Sequence, residues 1–272
     1  MPDLAHLLPM LVMLLLIGAF AGIVSGLLGV GGGIILVPAF FYAFGALGFG
    51  GEGLMRVCIA TSLATIIVTS VRSVLAHNRR GAVDWTILRG WAPGIAVGAV
   101  IGVVAVSRLH TVALQAIFGG LALVVAAYLG LGRSQWRLGD MMPQGPRRLI
   151  LSPLVGFLSV LMGIGGGSFG VPLMSLFGVP IHRAVATAAG FGVIIAVPSV
   201  AVLLFTPVVA SPPFTVGAVN LPAFVVIIAM TLITAPYGVR LAHSMDPKPL
   251  KRVFAVFLAI VALNMLRKAV GW

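Results

Sequence analysis

GIVSGLLGVGGGIILVP, at residues 22–38, and GFLSVLMGIGGGSFGVP, at residues 156–172, are one pattern written twice. Gly22, Ser25, Leu27, Gly29, Gly31, Gly32, Gly33, Val37 and Pro38 all recur in the second stretch, in the same order and spacing. In each copy a long apolar run meets a triple glycine, and a shorter apolar run follows, at 34–44 and 168–178. Glycine is a poor residue for the interior of a helix, so three in a row predict a break.

The repeat continues outward from these motifs. Ala60-Thr61 answers to Ala186-Thr187, Gly81-Ala82-Val83-Asp84 to Gly217-Ala218-Val219-Asn220, and Phe118 to Phe254. Apolar segments of spanning length occupy 7–29, 53–77, 85–106 and 111–131, and then 149–164, 182–205, 221–242 and 250–266. About 20 apolar residues cross a ~30 Å hydrocarbon core, which the two short segments cannot do alone. The expected fold is an all-α polytopic membrane protein of two homologous halves. It has eight full transmembrane helices and two short segments broken off by glycine. Residues 1–132 form the first membrane repeat, 133–148 a basic cytoplasmic linker, and 149–272 the second repeat.

Composition agrees. Apolar residues make up 60% of the 272 positions and charged residues 8%, with a mean hydropathy of +1.19. Soluble domains carry about 25% charged residues, so this surface expects lipid. The net charge of +12 would suggest nucleic acid in a soluble protein. Here the basic residues cluster between apolar runs, as loops beside anionic lipid do, and no nucleic-acid partner is expected. The single cysteine, Cys58, sits in an apolar run and can form no internal disulfide. No Lys or Arg precedes Arg56, so the first apolar run reads as a retained helix and not as a signal peptide.

Charge also orients the halves. Arg133, Arg137, Arg147 and Arg148 place the linker in the cytoplasm, as do Arg79 and Arg80 for their loop. The matching loop of the second half, 206–214, has no charge and reads as external, while Lys248, Lys251 and Arg252 read as internal. Equivalent loops on opposite faces mark an inverted repeat, with each short segment forming part of a crossing. A parallel arrangement of four plus four, with re-entrant short segments, is the alternative. Gly18, Gly22 and Gly26, like Gly94, Gly98 and Gly102, lie four apart and form smooth stripes for close helix packing.

Backbone amides freed at membrane depth are tolerated only inside protein or beside a wet cavity. Gly31, Gly32, Gly33, Gly165, Gly166 and Gly167 are therefore candidate binding residues, with short helices opening at Ile34 and Ser168. Amides and the positive end of a helix dipole together suit an anion. A β-branched residue at Gly32 or Gly166 would occupy the anion's space and oppose any positive φ. Thr61 and Thr187 are candidate ligands because they repeat. Arg72 and Arg183 are basic candidates near segment ends, where such side chains also reach for headgroups.

No carboxylate among Asp3, Glu52, Asp84, Asp140 and Asp246 lies mid-segment, which disfavours a cation pump or an acid proton relay. Residues 166–170 match G-x-S-x-G, but a nucleophile elbow needs a strand before the serine, and the first repeat has Ile34 where this one has Ser168. No catalytic residue, metal or cofactor is expected.

The doubled GxGGG-x4-P motif, at 29–38 and 163–172, with the Ala-Thr pairs and the length, closely resembles the sulfite exporter TauE/SafE family. The resemblance implies a bacterial inner-membrane secondary transporter that exports sulfite, an organosulfonate or a related small anion. Its partners would be that solute and membrane lipid, and a homo-oligomer is compatible with it. Other classes are an anion-selective channel on the same path and an intramembrane hydrolase.

The topology is testable with cysteine labelling in a Cys58→Ala background. A Ser211→Cys variant should react with an impermeant reagent from outside, and an Arg79→Cys variant from the cytoplasm. Reaction of position 211 from the cytoplasm alone would refute the inverted arrangement.

Overall fold

The computed structural model describes residues 4–28, 32–132, 136–244 and 247–271, with the side chains of 4–7, 28, 239, 242–244, 247, 248, 250 and 251 left aside. Gly29, Gly31, Arg133, Asp3 and Asp246 from the expectations above lie outside the described residues, as do the side chains of Lys248 and Lys251. The described elements are α1 (Leu4–Leu28), α2 (Gly33–Ala46), α3 (Leu54–Arg79), α4 (Trp85–Arg108) and α5 (Thr111–Leu131). Then come α6 (Gly145–Leu161), α7 (Gly167–Leu176), α8 (Ile181–Leu203), a small hairpin β1 (Thr215–Val216) and β2 (Val219–Asn220), α9 (Leu221–Ser244) and α10 (Pro247–Ala269).

Six of these helices, α1, α3, α4, α5, α8 and α9, are long and apolar enough to cross a membrane. The sequence expects eight. The difference falls on α6, which has 17 residues and carries Arg147 and Arg148 in its first turn, and on α10, which carries charged residues near both ends. The segment expected at 149–164 instead starts at Gly145 and ends at Leu161, where a turn sets in before the glycine triplet. The outward faces are apolar: Leu16 is 66% exposed, Val124 63% and Ile260 61%. Such exposure is costly in water and natural in hydrocarbon.

Gly18 and Gly22 of the first stripe, and all three glycines of the second, pack as their spacing predicts. A Cβ on Gly18 would lie 2.7 Å from the Met230 Cβ of α9, and one on Gly22 would strike Thr234. On the other side of the molecule, Gly94, Gly98 and Gly102 of α4 face Ser152, Pro153 and Phe157 of α6. The fit is mutual, since Gly156 of α6 presses on the Ile95 carbonyl and Gly238 of α9 on that of Ile23. Thus α1 packs on α9 as α6 packs on α4, each first helix of one half lying against a later helix of the other. Helices α5 and α10 pair through Gly119, which abuts Leu266.

The helix ends gather into two sets. At one end Leu138 N–H of the linker donates to the Leu176 carbonyl at 2.7 Å, and Arg183 pairs with Asp84 at 3.3 Å. The linker, the end of α7 and the starts of α4 and α8 therefore share this end, with Arg137, Arg147 and Arg148. At the other end Thr111 N–H donates to the Glu52 carbonyl at 3.1 Å, and Arg56 reaches the carbonyls of Val106 and Leu109. Because the linker leads into α6 and α7 ends beside the linker, α6 and α7 form a hairpin that enters and leaves at one end.

Two hydrogen bonds cross between the halves in exchanged fashion. Thr61 Oγ1 of α3 accepts from the Asn220 N–H at 3.0 Å, and Thr187 Oγ1 of α8 accepts from the Asp84 N–H at 2.9 Å. Asp84 and Asn220 are themselves matching helix caps. The Asp84 carboxylate accepts from the N–H groups of Thr86 and Ile87 at the start of α4, and the Asn220 side-chain oxygen accepts from that of Ala223 in α9. The glycine opening each repeated tetrapeptide has a positive φ, +65° at Gly81, which closes the end of α3, and +57° at Gly217, in the loop of the β1–β2 hairpin.

Glycines can be sorted by what they touch. Gly156→Ala should destabilise the protein by about 1–3 kcal/mol, because a methyl meets backbone that cannot yield. Gly120→Ala, with nothing within 4 Å, should be neutral or slightly stabilising. Thermal unfolding in detergent checks both.

Candidate functional site: the second glycine turn

Helix α6 ends at Leu161, and the chain turns through 162–166 before α7 begins at Gly167. The turn closes with Gly163 N–H on the Val160 carbonyl at 2.9 Å and Ile164 N–H on that of Ser159 at 2.9 Å. Gly163 takes a φ of +62°, while Gly166 sits in the ordinary helical region at −63° and Gly32 at −55°. The positive φ thus belongs to the glycine that opens the motif, and the described triplet residues with a known φ have none. What demands glycine at 166 is space: a Cβ there would strike Phe191 and lie 2.9 Å from the Ala188 carbonyl of α8.

The next backbone hydrogen bond is Gly170 N–H to the Gly166 carbonyl at 2.8 Å. Among the described residues, no acceptor takes the N–H groups from Gly165 to Phe169. They stand at the positive end of α7, halfway along α3 and α8, since Gly165 neighbours Ile66 and Gly192. Beside them lies a cavity of about 100 Å³ lined by Gly165, Gly166, Gly167, Ser25, Thr69, Ser70 and Ser73, with Ile66, Ala188 and Ala189. Free amides, four hydroxyls and a helix N-terminus converge on it, with no carboxylate among its lining residues. The volume is well below the ~300 Å³ of drug-sized sites, so it suits a small solute. The Ser168 hydroxyl, 3% exposed, has no partner. Ser168 follows a helical turn and stands second in α7, so no strand precedes it as a nucleophile elbow requires.

The other expected residues are placed elsewhere. Gly31 lies outside the described residues. Gly32 and Gly33 open α2, but Gly33 is packed shut, its Cβ position 2.9 Å from the Gly163 carbonyl and 2.9 Å from Ile66 Cδ1. The two glycine motifs therefore touch. Thr61 and Thr187 are fully buried and already accept the crossing N–H groups, so they hold the halves together and do not line the cavity. Arg72 is exposed on α3 and is not among the lining residues. Arg183 lies at the linker end, paired with Asp84, in a groove of about 450 Å³ that also holds Asp140. Two carboxylates make that groove a poor place for an anion. Among the described residues, no three His, Cys, Asp or Glu side chains gather to hold a metal.

Sequence reasoning passed over Ser25, Ser70 and Ser73. Ser25 and Ser73 carried a signal, since they recur as Ser159 and Ser199, but Ser70 answers to Ala196 and enters the cavity only because α3 runs beside the turn.

Apolar helices of spanning length around a buried polar turn define a multi-pass helical membrane protein. The chain belongs to the sulfite exporter TauE/SafE family, whose model matches residues 14–265. A "Probable membrane transporter protein" of Haemophilus influenzae is 30% identical over 262 residues, covering 93% of this chain and 97% of that one. One of Methanocaldococcus jannaschii is 24% identical over 94% of this chain and 96% of its own, and YunE of Bacillus subtilis, of the same description, is 30% identical over 65% and 71%. No solved structure matches.

If Thr61 and Thr187 are staples, Thr61→Val and Thr187→Val should each lower stability by about 1–3 kcal/mol, the cost of a buried N–H left unpaired. Substrate KM should stay within about twofold, a change well under 1 kcal/mol in binding. A large rise in KM with unchanged unfolding temperature would make them ligands instead.

Proposed function

We propose that the chain is a secondary transporter that exports a small anion, such as sulfite or an organosulfonate, across the bacterial inner membrane. The observation that carries this reading is the set of free N–H groups at Gly165, Gly166 and Gly167, which line a hydroxyl-bearing cavity at mid-depth. In hydrocarbon such amides are unsatisfied and costly, whereas an oxyanion takes several at once. The family description and the names of the relatives support transport as the activity, and the family description alone supports sulfite as the kind of substrate.

The halves, 1–132 and 149–272, act as an inverted pair about the basic linker, with α6 and α10 completing a set of eight longer helices around the short α2 and α7. Support comes from the exchanged threonine bonds and from α1–α9 mirroring α6–α4. The clustering of Arg79, Arg80, Arg137, Arg147, Arg148 and Arg183 at one end supports a cytoplasmic linker. Lipid covers the apolar outer faces.

A carrier is favoured over a channel by the first part of α3 and the last part of α8. Ile59, Leu63, Ile195 and Leu203 are fully buried, so packed side chains separate the cavity from the end opposite the linker. A carrier needs one such closed side at all times.

Uptake of labelled sulfite into inverted vesicles should saturate and support counterflow. Ser70→Ala and Ser73→Ala should each raise KM about tenfold, a loss near 1.4 kcal/mol, with near-normal membrane insertion. Ser168→Ala should retain activity. An unchanged KM in both Ser70→Ala and Ser73→Ala would refute the site.

A further inference from the structure

The open cavity has a closed counterpart. Carried through the internal repeat, Ser25 corresponds to Ser159, Ser70 to Ala196 and Ser73 to Ser199, while Gly166 and Gly167 correspond to Gly32 and Gly33. Ser25, Ser70 and Ser73 are partly exposed, whereas Ser159, Ala196 and Ser199 are each 0% exposed. The same pattern of residues is thus open on one side of the molecule and shut on the other.

Ser159 supplies a separate observation. Its hydroxyl is fully buried and has no hydrogen-bond partner. A serine serving only to pack would be better as alanine, because an unpaired buried hydroxyl is a cost without compensation. Its repeat partner, Ser25, is a lining hydroxyl of the open cavity. Ser62, the counterpart of the lining residue Ala188, is also fully buried and spends its hydroxyl on the Gly163 carbonyl at 2.8 Å. Ser199 turns its own onto the Ile195 carbonyl at 2.7 Å. Ser62 and Ser159 lie where the two glycine motifs touch: Ser62 bonds the Gly163 carbonyl, and Ile164, whose N–H donates to the Ser159 carbonyl, has its Cα 3.0 Å from the Cβ position of Gly33, while Ser199 joins them by its place in the repeat.

We propose that Ser62, Ser159 and Ser199, with the Gly32–Gly33 turn, form a second oxyanion chamber that is closed in this state and opens toward the end opposite the linker. This rests on the reading of the protein as a transporter with inverted halves. Opening separates α8 from α6 beyond the turn and releases the Ser62 bond. It presents hydroxyl and amide donors of the same chemistry as those around Gly166, so a small oxyanion meets equivalent partners in both states. The two chambers differ in one respect: Ala188 cannot tie the first glycine turn as Ser62 ties the second, so the closed state shown here carries an extra latch.

The test uses full-length protein in oriented vesicles, with a Cys58→Ala background and a membrane-impermeant methanethiosulfonate reagent. Ser73→Cys should be modified promptly from the linker face. Ser159→Cys should be modified only from the opposite face, at roughly 0.1–10% of the Ser73→Cys rate, the range expected of a minor conformer. Ser199→Cys should behave as Ser159→Cys does, which guards against a poorly folding variant. Modification of both from the linker face overturns the chamber. So does no modification of either over a time that would reveal 0.1% of the Ser73→Cys rate, provided unfolding in detergent makes them reactive. Labelled sulfite uptake, measured on the same vesicles, reports separately on the substrate.

Discussion

A backbone amide inside a membrane has to find a partner, and the turn from Gly163 to Gly167 leaves several without one from the protein. The rest of the architecture makes that turn tolerable. Helices α3 and α8 flank it, the Ser62 hydroxyl takes the Gly163 carbonyl, and Gly166 lets the backbone settle against Phe191 and Ala188. What remains unpaired is confined to one small hydroxyl-lined cavity. The polarity of the site is therefore mainly that of the peptide unit, which suits a transporter whose sequence places no carboxylate mid-segment.

Close approach of helices is the second requirement, and glycine meets it twice by the same device. The faces of α1 and α4 that carry glycine lie against α9 and α6, where side chains larger than hydrogen would strike backbone. Lipid offers no hydrophobic drive for helix association, so this contact of surfaces is what binds the helices. The threonine bonds add specificity. Each fixes the N-terminus of a helix in one half to the first third of α3 or α8 in the other, so the halves cannot slide past each other without breaking two buried bonds.

Much of this was legible in the sequence. Apolar run length and the near absence of charge required a helical membrane protein, because only internally bonded backbone survives in hydrocarbon. The doubled motif located the helix breaks, and glycine spacing named the faces of α1 and α4 that pack. These are local properties, written in composition and in periods of a few residues.

Which polar residues share a cavity was decided only by the tertiary structure. Thr61 and Thr187 repeat as faithfully as the glycines, yet they serve as acceptors between halves, because the caps at Asp84 and Asn220 are folded against them. Arg183 is drawn off by Asp84, almost a hundred residues earlier in the chain. Ser25, Ser70 and Ser73 converge on the second glycine turn although they belong to the first half. Nor could a repeated sequence say which copy is open, since the two halves carry the same pattern. The packing of α3 and α8 around the turn breaks that tie, leaving Ser25 accessible and Ser159 buried.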